Sequence, residues 1–528
     1  MYTCLPVCKI ANKLNLVHQL VEYTCKYTCV CSYLKNNIAQ GRCFYSHIKL
    51  KISLKHILIL GIITRVMFLV FGAPLYYGRT PFYMHDDSIG WMDSIVNLIN
   101  TGTYTANAAW ANGVFYRPPG YSFFLGFCYL ITGMSVERGF LCAVILQSAL
   151  DILNIFFCYK IVFQLTQNKN TSLAGAFIYA LYPFTLVWDG AATAEILSVT
   201  LMFGSFYFYT NPTQKYRLAL SALFLGFASL TRPQCIVLFP CIIAVEFIFT
   251  IKNPKKYLKN ILQFLLFFSL SYGLWPARNY INQNKLIFIQ DANIGNVWSP
   301  DWFAFMRYIF AVQTDIEPQA SQLMNGEKVT WNEQSYHYSG DSANLASFTN
   351  MLDTCGTGVS YFRLHKNLID TPVASNQNCD AAIAKLSEEL VANQKKYNAF
   401  NYYINVPFSN LKKSLFKSGL YGKQSNSVKI IASLLFGIRT VGILAGLSCC
   451  IWLLLFSGIR KEFLTITIMY FAAWYAYMCW LFRNIEVRYF LNADTLLLIP
   501  LAIVIGMLID KYYLHRKTDV ISIEDKNS

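Results

Sequence analysis

Two adjacent carboxylates, Asp86 and Asp87, and a scattered set of arginines near prolines are the residues whose types and spacing suit chemistry in this chain. The acids open the run H-D-D-S-I-G-W-M-D, and some thirty positions on comes F-Y-R-P-P-G-Y, which holds Arg117. An apolar stretch ends just before this segment near Ala73 and another begins at Tyr121, so both acids and Arg117 belong at a membrane surface. A carboxylate pair beside hydrocarbon carries a solvation cost that packing alone would not retain. Held ionised next to a hydroxyl, either acid is a general base. The alternative is a helix N-cap near Ser88, a role that needs only one of the two.

Pro118 and Pro119 fix the backbone after Arg117 and exclude helix there, so its guanidinium leaves a rigid turn. Such an arginine suits bidentate contact with a phosphate, and its bland alternative is a snorkelling lipid anchor. Arg232 in S-L-T-R-P-Q and Arg278 in W-P-A-R-N-Y repeat the pattern at the ends of apolar stretches, and Arg483 and Arg488 add to it in R-N-I-E-V-R-Y. Arginines on the outer side run against positive-inside statistics and call for an anionic partner. Asp189 and Glu195 either position a sugar hydroxyl or pair with one of these arginines; Glu195 is also an ordinary acid for a helix start. His85 and His337 stand alone, the N-terminal C-x3-C-x-C lacks the paired spacing of a zinc site, and no metal set is specified. No Walker motif or G-x-G-x-x-G turn is present.

These residues need a mount. The 528 residues are 55% hydrophobic and only 14% charged, against roughly 25% charged in soluble domains, which points to an all-α polytopic membrane protein. The formal charge of +16 does not imply nucleic acid, because Lys and Arg cluster in short connectors between apolar runs. Spans are expected at 56–73, 140–165, 174–187, 196–209, 218–230, 236–249, 261–281, 430–456, 463–482 and 490–509, about ten in all. The apolar stretch 121–133 is short of the roughly 20 residues a crossing helix needs, and placing it at the interface puts the basic connectors 164–170, 211–217 and 252–259 inside. Asp87, Glu195, Arg232 and Arg278 then share the outer face.

The expected organisation is a cytosolic extension (1–55), a transmembrane module (56–282) whose first outer loop (74–135) carries interfacial helices, one extracytoplasmic domain (283–428), C-terminal transmembrane helices (429–512) and a cytosolic tail (513–528). A polar stretch as long as 282–427 argues for folded structure. Its last part, 391–417, has Tyr397, Phe400, Tyr403, Leu411 and Leu415 at helical spacing, as in an amphipathic surface helix. Of the 16 cysteines, six precede the first span (Cys4, Cys8, Cys25, Cys29, Cys31, Cys43) and eight lie in apolar runs. Only Cys355 and Cys379 fall in the polar stretch, and in an oxidising compartment they are the natural disulfide pair.

At these residues the chain resembles the polyprenyl-phosphate-dependent glycosyltransferases of the GT-C fold, the protein O-mannosyltransferase and lipid A aminoarabinose transferase group. The likeness covers about 57–296 and 486–500. Asp87 followed by Gly102 fits the family's acid and glycine in the first outer loop, and Tyr116-Arg-Pro-Pro-Gly-Tyr121 is similar to its segment near the donor phosphate. Ala180-Leu-Tyr-Pro183, Thr231-Arg-Pro233, Trp275-Pro-Ala-Arg-Asn279 and Glu486-Val-Arg-Tyr489 resemble further landmarks in the right order. The family often has Asp-Glu where this chain has Asp86-Asp87, and Tyr where Trp91 stands; the N-terminus and 301–393 match nothing in it. The resemblance implies inverting transfer of a sugar from a polyprenyl-phosphate donor to an acceptor hydroxyl on a glycan, lipid or protein. It implies Asp87, with Asp86 beside it, as base, and Arg117, Arg278, Arg232 and Arg488 as donor-phosphate ligands. Glu195, Asp189, Tyr116 and Tyr121 would position substrate. No cofactor is expected, and a divalent metal is left open. The expected setting is a multi-pass protein among membrane lipids, the bacterial inner membrane favoured over the endoplasmic reticulum, with the site on the extracytoplasmic face. A transporter or flippase for an anionic lipid-linked substrate is the alternative; it would ordinarily show internal repeats, and none stands out.

Overall fold

The computed structural model describes residues 52–78, 81–84, 86–371, 376–417 and 426–524. The six N-terminal cysteines and His85 lie outside the described residues, as does the side chain of Asp86. Among the described residues every regular element is helical.

Among the described residues, six helices are long and apolar enough to cross a membrane: Leu54–Tyr77, Val136–Thr166, Pro233–Thr250, Asn426–Phe456, Lys461–Phe482 and Val487–Lys511. Lys169–Ala180 and Pro183–Asp189, bent by 49°, make a seventh if they form one broken span. The bend follows from Pro183, which has no N–H to continue the first helix and starts the second. The remaining stretches expected as spans take other forms. Glu195–Tyr209 and Arg217–Thr231 are 15 residues each, about 22 Å at 1.5 Å per residue against roughly 30 Å of hydrocarbon. The stretch 261–281 divides at Gly273 into Pro254–Tyr272 and Leu274–Gln283.

The segment expected as the first outer loop is built by its prolines and glycines. The opening helix passes through a π-helical stretch, Phe68–Gly72, just before Pro74, where the wider register absorbs the missing donor. It ends on Gly78 in the left-handed conformation. Asp86–Thr101 follows and stops at Gly102, whose φ of +74° closes that helix through its N–H to the Leu98 carbonyl. Pro118 is extended and Pro119 opens the helix Pro119–Ile131. Both loop helices pack around Trp91, Met92, Ile95, Tyr121 and Leu125, with Phe140 and Ala194 completing this small core.

The polar segment folds on a core of its own, with Phe305, Tyr308, Phe348, Leu352, Ile383 and Leu390 fully buried. Its framework is Pro300–Val312, Asp341–Cys355, Thr357–His365 and Gln377–Tyr397. The Asp301 carboxylate accepts the Gly358 N–H at 3.0 and 3.1 Å, and Cys355 and Cys379 form a disulfide with Cα atoms 6.3 Å apart. The continuous surface helix expected over 391–417 is interrupted: Asn398 ends one helix, a π-helical turn spans Asn401–Asn405, and Val406–Phe416 follows. Tyr397, Phe400 and Tyr403 are exposed, whereas Leu411 and Leu415 pack against the core of the bundle.

Candidate active site

Asp87 lies in the first turn of Asp86–Thr101, and both its carboxylate oxygens meet guanidinium groups. Oδ1 accepts from Arg117 Nη2 at 3.0 Å, and Oδ2 accepts from Arg488 Nη2. The carboxylate is 31% exposed while Arg117 and Arg488 are 12% and 5% exposed, so the cations form a wall and the acid faces the opening. Asp86 begins the same helix.

Arg117 is held rigidly. Its guanidinium lies 4.2 Å from the Trp91 ring and 4.4 Å from the Tyr116 ring, and it donates to the Tyr116 hydroxyl at 3.2 Å. Stacking of this kind strengthens when water is excluded. Gly120 makes the next connection: a Cβ there would stand 2.7 Å from the Leu230 carbonyl carbon and the Thr231 nitrogen. Without one, the Arg-Pro-Pro-Gly turn lies directly on the end of Arg217–Thr231, where Pro233 turns the chain and Arg232 takes an extended conformation.

Arg232 pairs with Glu195, which is fully buried at the start of Glu195–Tyr209. Its guanidinium faces Trp91 and Tyr489 at 5.6 and 5.8 Å. Burial, with the neighbouring Arg488 charge adding to it, pushes Arg232 down to about 10. Arg488 Nε donates to Glu486 Oε2 at 2.7 Å and lies 3.9 Å from Glu195 Oε1, and the Tyr489 hydroxyl donates to Glu486 Oε1 at 2.9 Å. Asp87, Glu195 and Glu486 thus interleave with Arg117, Arg232 and Arg488 in one compact cluster. The Nε donors of Arg117 and Arg232 are buried there without a hydrogen-bond acceptor, and Glu195 Oε2 is buried without a donor.

Other expected residues sit elsewhere. Arg278 donates to the carbonyls of Val114 and Tyr104 at 3.0 and 2.9 Å and to Asn279 Oδ1 at 2.9 Å. It clamps the loop behind Arg117, whose carbonyl in turn accepts from the Tyr104 hydroxyl at 3.0 Å. In this arrangement Arg278 supports the site from behind. Asp189 is fully buried and accepts from Ser148 Oγ at 2.6 Å. Tyr121 is fully buried too, donating to Gln147 Oε1 at 2.5 Å, and packs edge-on against Trp91. Both are part of the packing beneath the cluster. Tyr116 stays at the site through its contact with Arg117. Arg483 donates to the carbonyls of Phe310 and Tyr402 at 3.2 and 2.8 Å, so it ties the polar segment to the bundle.

Some participants escape a sequence reading. Trp91 and Glu486 draw notice only as parts of motifs, yet Trp91 faces two arginines and Glu486 orients Arg488. Two ion pairs inside spans are also unforeseen: Arg65–Asp151 and Arg439–Asp494, each closed at 2.7 Å, with Tyr179 and Tyr475 donating to the acids. Their signal is a charged residue in the middle of an apolar run. Among the described residues, no group of three or more His, Cys, Asp or Glu is placed to hold a metal ion.

Comparison with known proteins fits this geometry. Residues 116–272, which include Arg117 and Arg232, match the family described as dolichyl-phosphate-mannose-protein mannosyltransferase. No curated protein matches the chain at a significant level. Among solved structures, the oligosaccharyltransferase of Archaeoglobus fulgidus tethered to an acceptor peptide aligns with a TM-score of 0.50 at 12% identity, covering 88% of this chain and 50% of that one. The same organism's AglB with an inhibitory peptide and a dolichol-phosphate aligns at 0.47 and 12%, covering 89% and 52%. ArnT from Cupriavidus metallidurans bound to undecaprenyl phosphate aligns at 0.37 and 11%, covering 86% and 78%. The chain spans about half the length of the archaeal enzymes, and at such identity the likeness is one of fold alone. Residues 116–272 thus relate this part of the chain to the dolichyl-phosphate-mannose-protein mannosyltransferase family, within a multi-pass helical membrane protein.

Proposed function

We propose that the cluster around Asp87 transfers a sugar from a polyprenyl-phosphate carrier to an acceptor hydroxyl on the extracytoplasmic face, with inversion at the anomeric carbon. The observation that carries this reading is the position of Asp87 between Arg117 and Arg488. A carboxylate able to act as general base and two cations able to hold a leaving phosphate are within contact of one another. The family's description names a dolichyl-phosphate sugar as donor.

The geometry also suggests an order of events. In-line attack puts the incoming hydroxyl and the departing phosphate on opposite sides of the anomeric carbon, so one carboxylate cannot keep both guanidinium groups and serve as base. A donor phosphate supplies replacement anionic oxygens for Arg117 and Arg488, and the buried Nε donors of Arg117 and Arg232 offer it further charge-assisted bonds. Asp87, released, takes the proton of the acceptor hydroxyl as its oxygen bonds to the anomeric carbon. The carbon–oxygen bond to phosphate breaks, and its electron pair stays on the phosphate, where the arginines stabilise the growing charge. Glu195 and Glu486 keep Arg232 and Arg488 aimed throughout.

The test is transfer from a radiolabelled polyprenyl-phosphate sugar in membranes carrying the protein, compared with Asp87→Asn and Asp86→Asn. Loss in the first and retention in the second identifies Asp87 as the base; full activity in both removes the mechanism.

A further inference from the structure

A second concave site lies in the polar segment, just beyond the end of Pro300–Val312. It is a groove of about 580 Å³ whose walls carry the amides of Gln313, Gln319, Gln322 and Asn332, the Asp315 carboxylate and the Trp331 indole. That volume falls within the range of roughly 300–1,000 Å³ common for small-ligand sites. The wall amides are set by one another. Gln313 Nε2 donates to Gln319 Oε1 at 2.8 Å, Gln319 Nε2 donates to the Thr330 carbonyl at 2.9 Å, and Gln322 Oε1 accepts the Thr330 N–H at 2.8 Å. Groups fixed in advance lose little freedom when a ligand arrives.

The chemistry of the wall narrows the ligand. An amide offers donors and acceptors on one planar group, which matches hydroxyls that both donate and accept. Both carboxylates of the wall already have partners: Asp315 pairs with Lys413 at 2.6 Å and Lys417 at 3.6 Å, which hold its carboxyl below the usual carboxylate range against the opposing effect of burial, and Glu317 Oε2 accepts the Ser321 N–H at 3.1 Å. An apolar peptide anchor has no deep pocket to enter, because Trp331 is backed by Tyr308 and Phe348 and its N–H is bonded to Thr349 Oγ1 at 3.0 Å. Strand addition has no edge, since no strand occurs among the described residues.

The groove is also joined to the catalytic segment. Arg483 holds the Phe310 carbonyl, Asn401 Nδ2 donates to the Val312 carbonyl at 3.1 Å, and Lys413 Nζ donates to the Thr314 carbonyl at 3.0 Å. Arg483 opens the same short connector that carries Glu486 and Arg488, and Lys413 lies within electrostatic reach of Glu486. The groove therefore sits on the arginine-bearing side of the bundle.

We propose that this groove is an acceptor subsite for a neutral, hydroxyl-rich saccharide, which makes the acceptor a glycan; this rests on the glycosyltransferase reading above. The experiment uses the full-length protein in nanodiscs and soluble trisaccharides of glucose, mannose and N-acetylglucosamine as probes. Binding is read by saturation-transfer NMR on the Asp87→Asn protein, and transfer on the native one. We expect at least one trisaccharide to bind, and the Gln313→Ala/Gln322→Ala double variant to raise its KM about tenfold, as for loss of one to two hydrogen bonds. The kcat and the slow donor hydrolysis without acceptor should stay unchanged. A milder Gln322→Glu variant guards against misfolding and should weaken binding in the same direction. Absence of trisaccharide binding, equal KM in the variants, or transfer only to a Ser/Thr peptide would each overturn the proposal. Trisaccharide binding with no sugar transferred from any lipid-phosphate donor would instead sink the glycosyltransferase reading while leaving the groove a saccharide site.

Discussion

Arg117 and Asp87 stand 30 positions apart in the chain and 3.0 Å apart in space. Two stacked rings hold the arginine, so the acid meets a cation that cannot swing away. Replacing Asp87 by Asn keeps the volume and removes the proposed base; transfer should fall by about 10²–10⁴-fold, the usual contribution of general base catalysis. Arg117→Lys keeps the charge but loses the planar stacking and the fork, and kcat/KM should fall about ten- to a hundredfold. Initial rates over a series of donor concentrations check both. A wild-type rate in Arg117→Lys would show that only the charge at this position matters.

Much of this cluster is legible in the sequence, because acids and arginines at the ends of apolar runs have few uses. Asp87, Arg117, Arg232, Arg488 and Glu195 come together on that logic. Arg278 does not join them, because an arginine beside a proline reads the same whether it faces an anion or backbone carbonyls, as it does at Tyr104 and Val114. Asp189 and Tyr121 are hidden for another reason: helical burial is set by packing partners such as Ser148 and Gln147, which lie far off in sequence. The break at Asn398 and the shortness of Glu195–Tyr209 are likewise settled by tertiary packing, where hydropathy shows only a continuous apolar or amphipathic run.

Glu195 and Arg232 form a pair with almost no water around it. Glu195→Ala leaves a buried guanidinium with no partner and should destabilise the protein by about 3–5 kcal/mol. Replacing both residues by Met removes the uncompensated charge and should restore most of that stability without restoring transfer, since Arg232 binds the donor phosphate in the proposed mechanism. Thermal unfolding in detergent, read beside activity, separates the two effects. Equal loss of stability in the single and double variants would contradict this account.

The Arg439–Asp494 pair is fully buried within candidate spans. Arg439 Nη1 also donates to the Ser414 carbonyl at 2.7 Å, linking two long helices to the segment that re-enters the bundle. Asp494→Ala should lower the folded yield sharply, again by about 3–5 kcal/mol, while Arg439→Met with Asp494→Leu should fold near wild type. Size-exclusion profiles of the purified proteins report the outcome.

Asp380, beside Asp301 in the polar segment, is pushed up to about 6, chiefly by burial and then by the Asp301 charge, against the opposing hydrogen bond from Thr357. The folded state therefore holds this proton more tightly than the unfolded chain. The resulting stability is complete below pH about 4 and is lost as pH rises through about 6. Asp380→Asn should raise the unfolding temperature at pH 7 and converge with wild type below pH 4. A constant difference across that window would remove the proton linkage.

Gly120 offers the sharpest test of how the site is assembled. A methyl group there meets backbone atoms of Leu230 and Thr231 at 2.7 Å, and neither belongs to a side chain that can swing aside. Gly120→Ala must therefore separate the Arg-Pro-Pro-Gly turn from the end of Arg217–Thr231, moving Arg117 away from Arg232. A misplacement near 1 Å can cost about a hundredfold in rate, so kcat should fall while the folded yield changes little. The nearby Gly102→Ala variant is the contrast. Its Cβ meets nothing within 4 Å, but its φ of +74° is strained for any side chain. That change should cost stability, about 1 kcal/mol, more than rate. Comparing kcat and unfolding temperature in the two variants distinguishes a position that sets the distance between two arginines from one that only ends a helix.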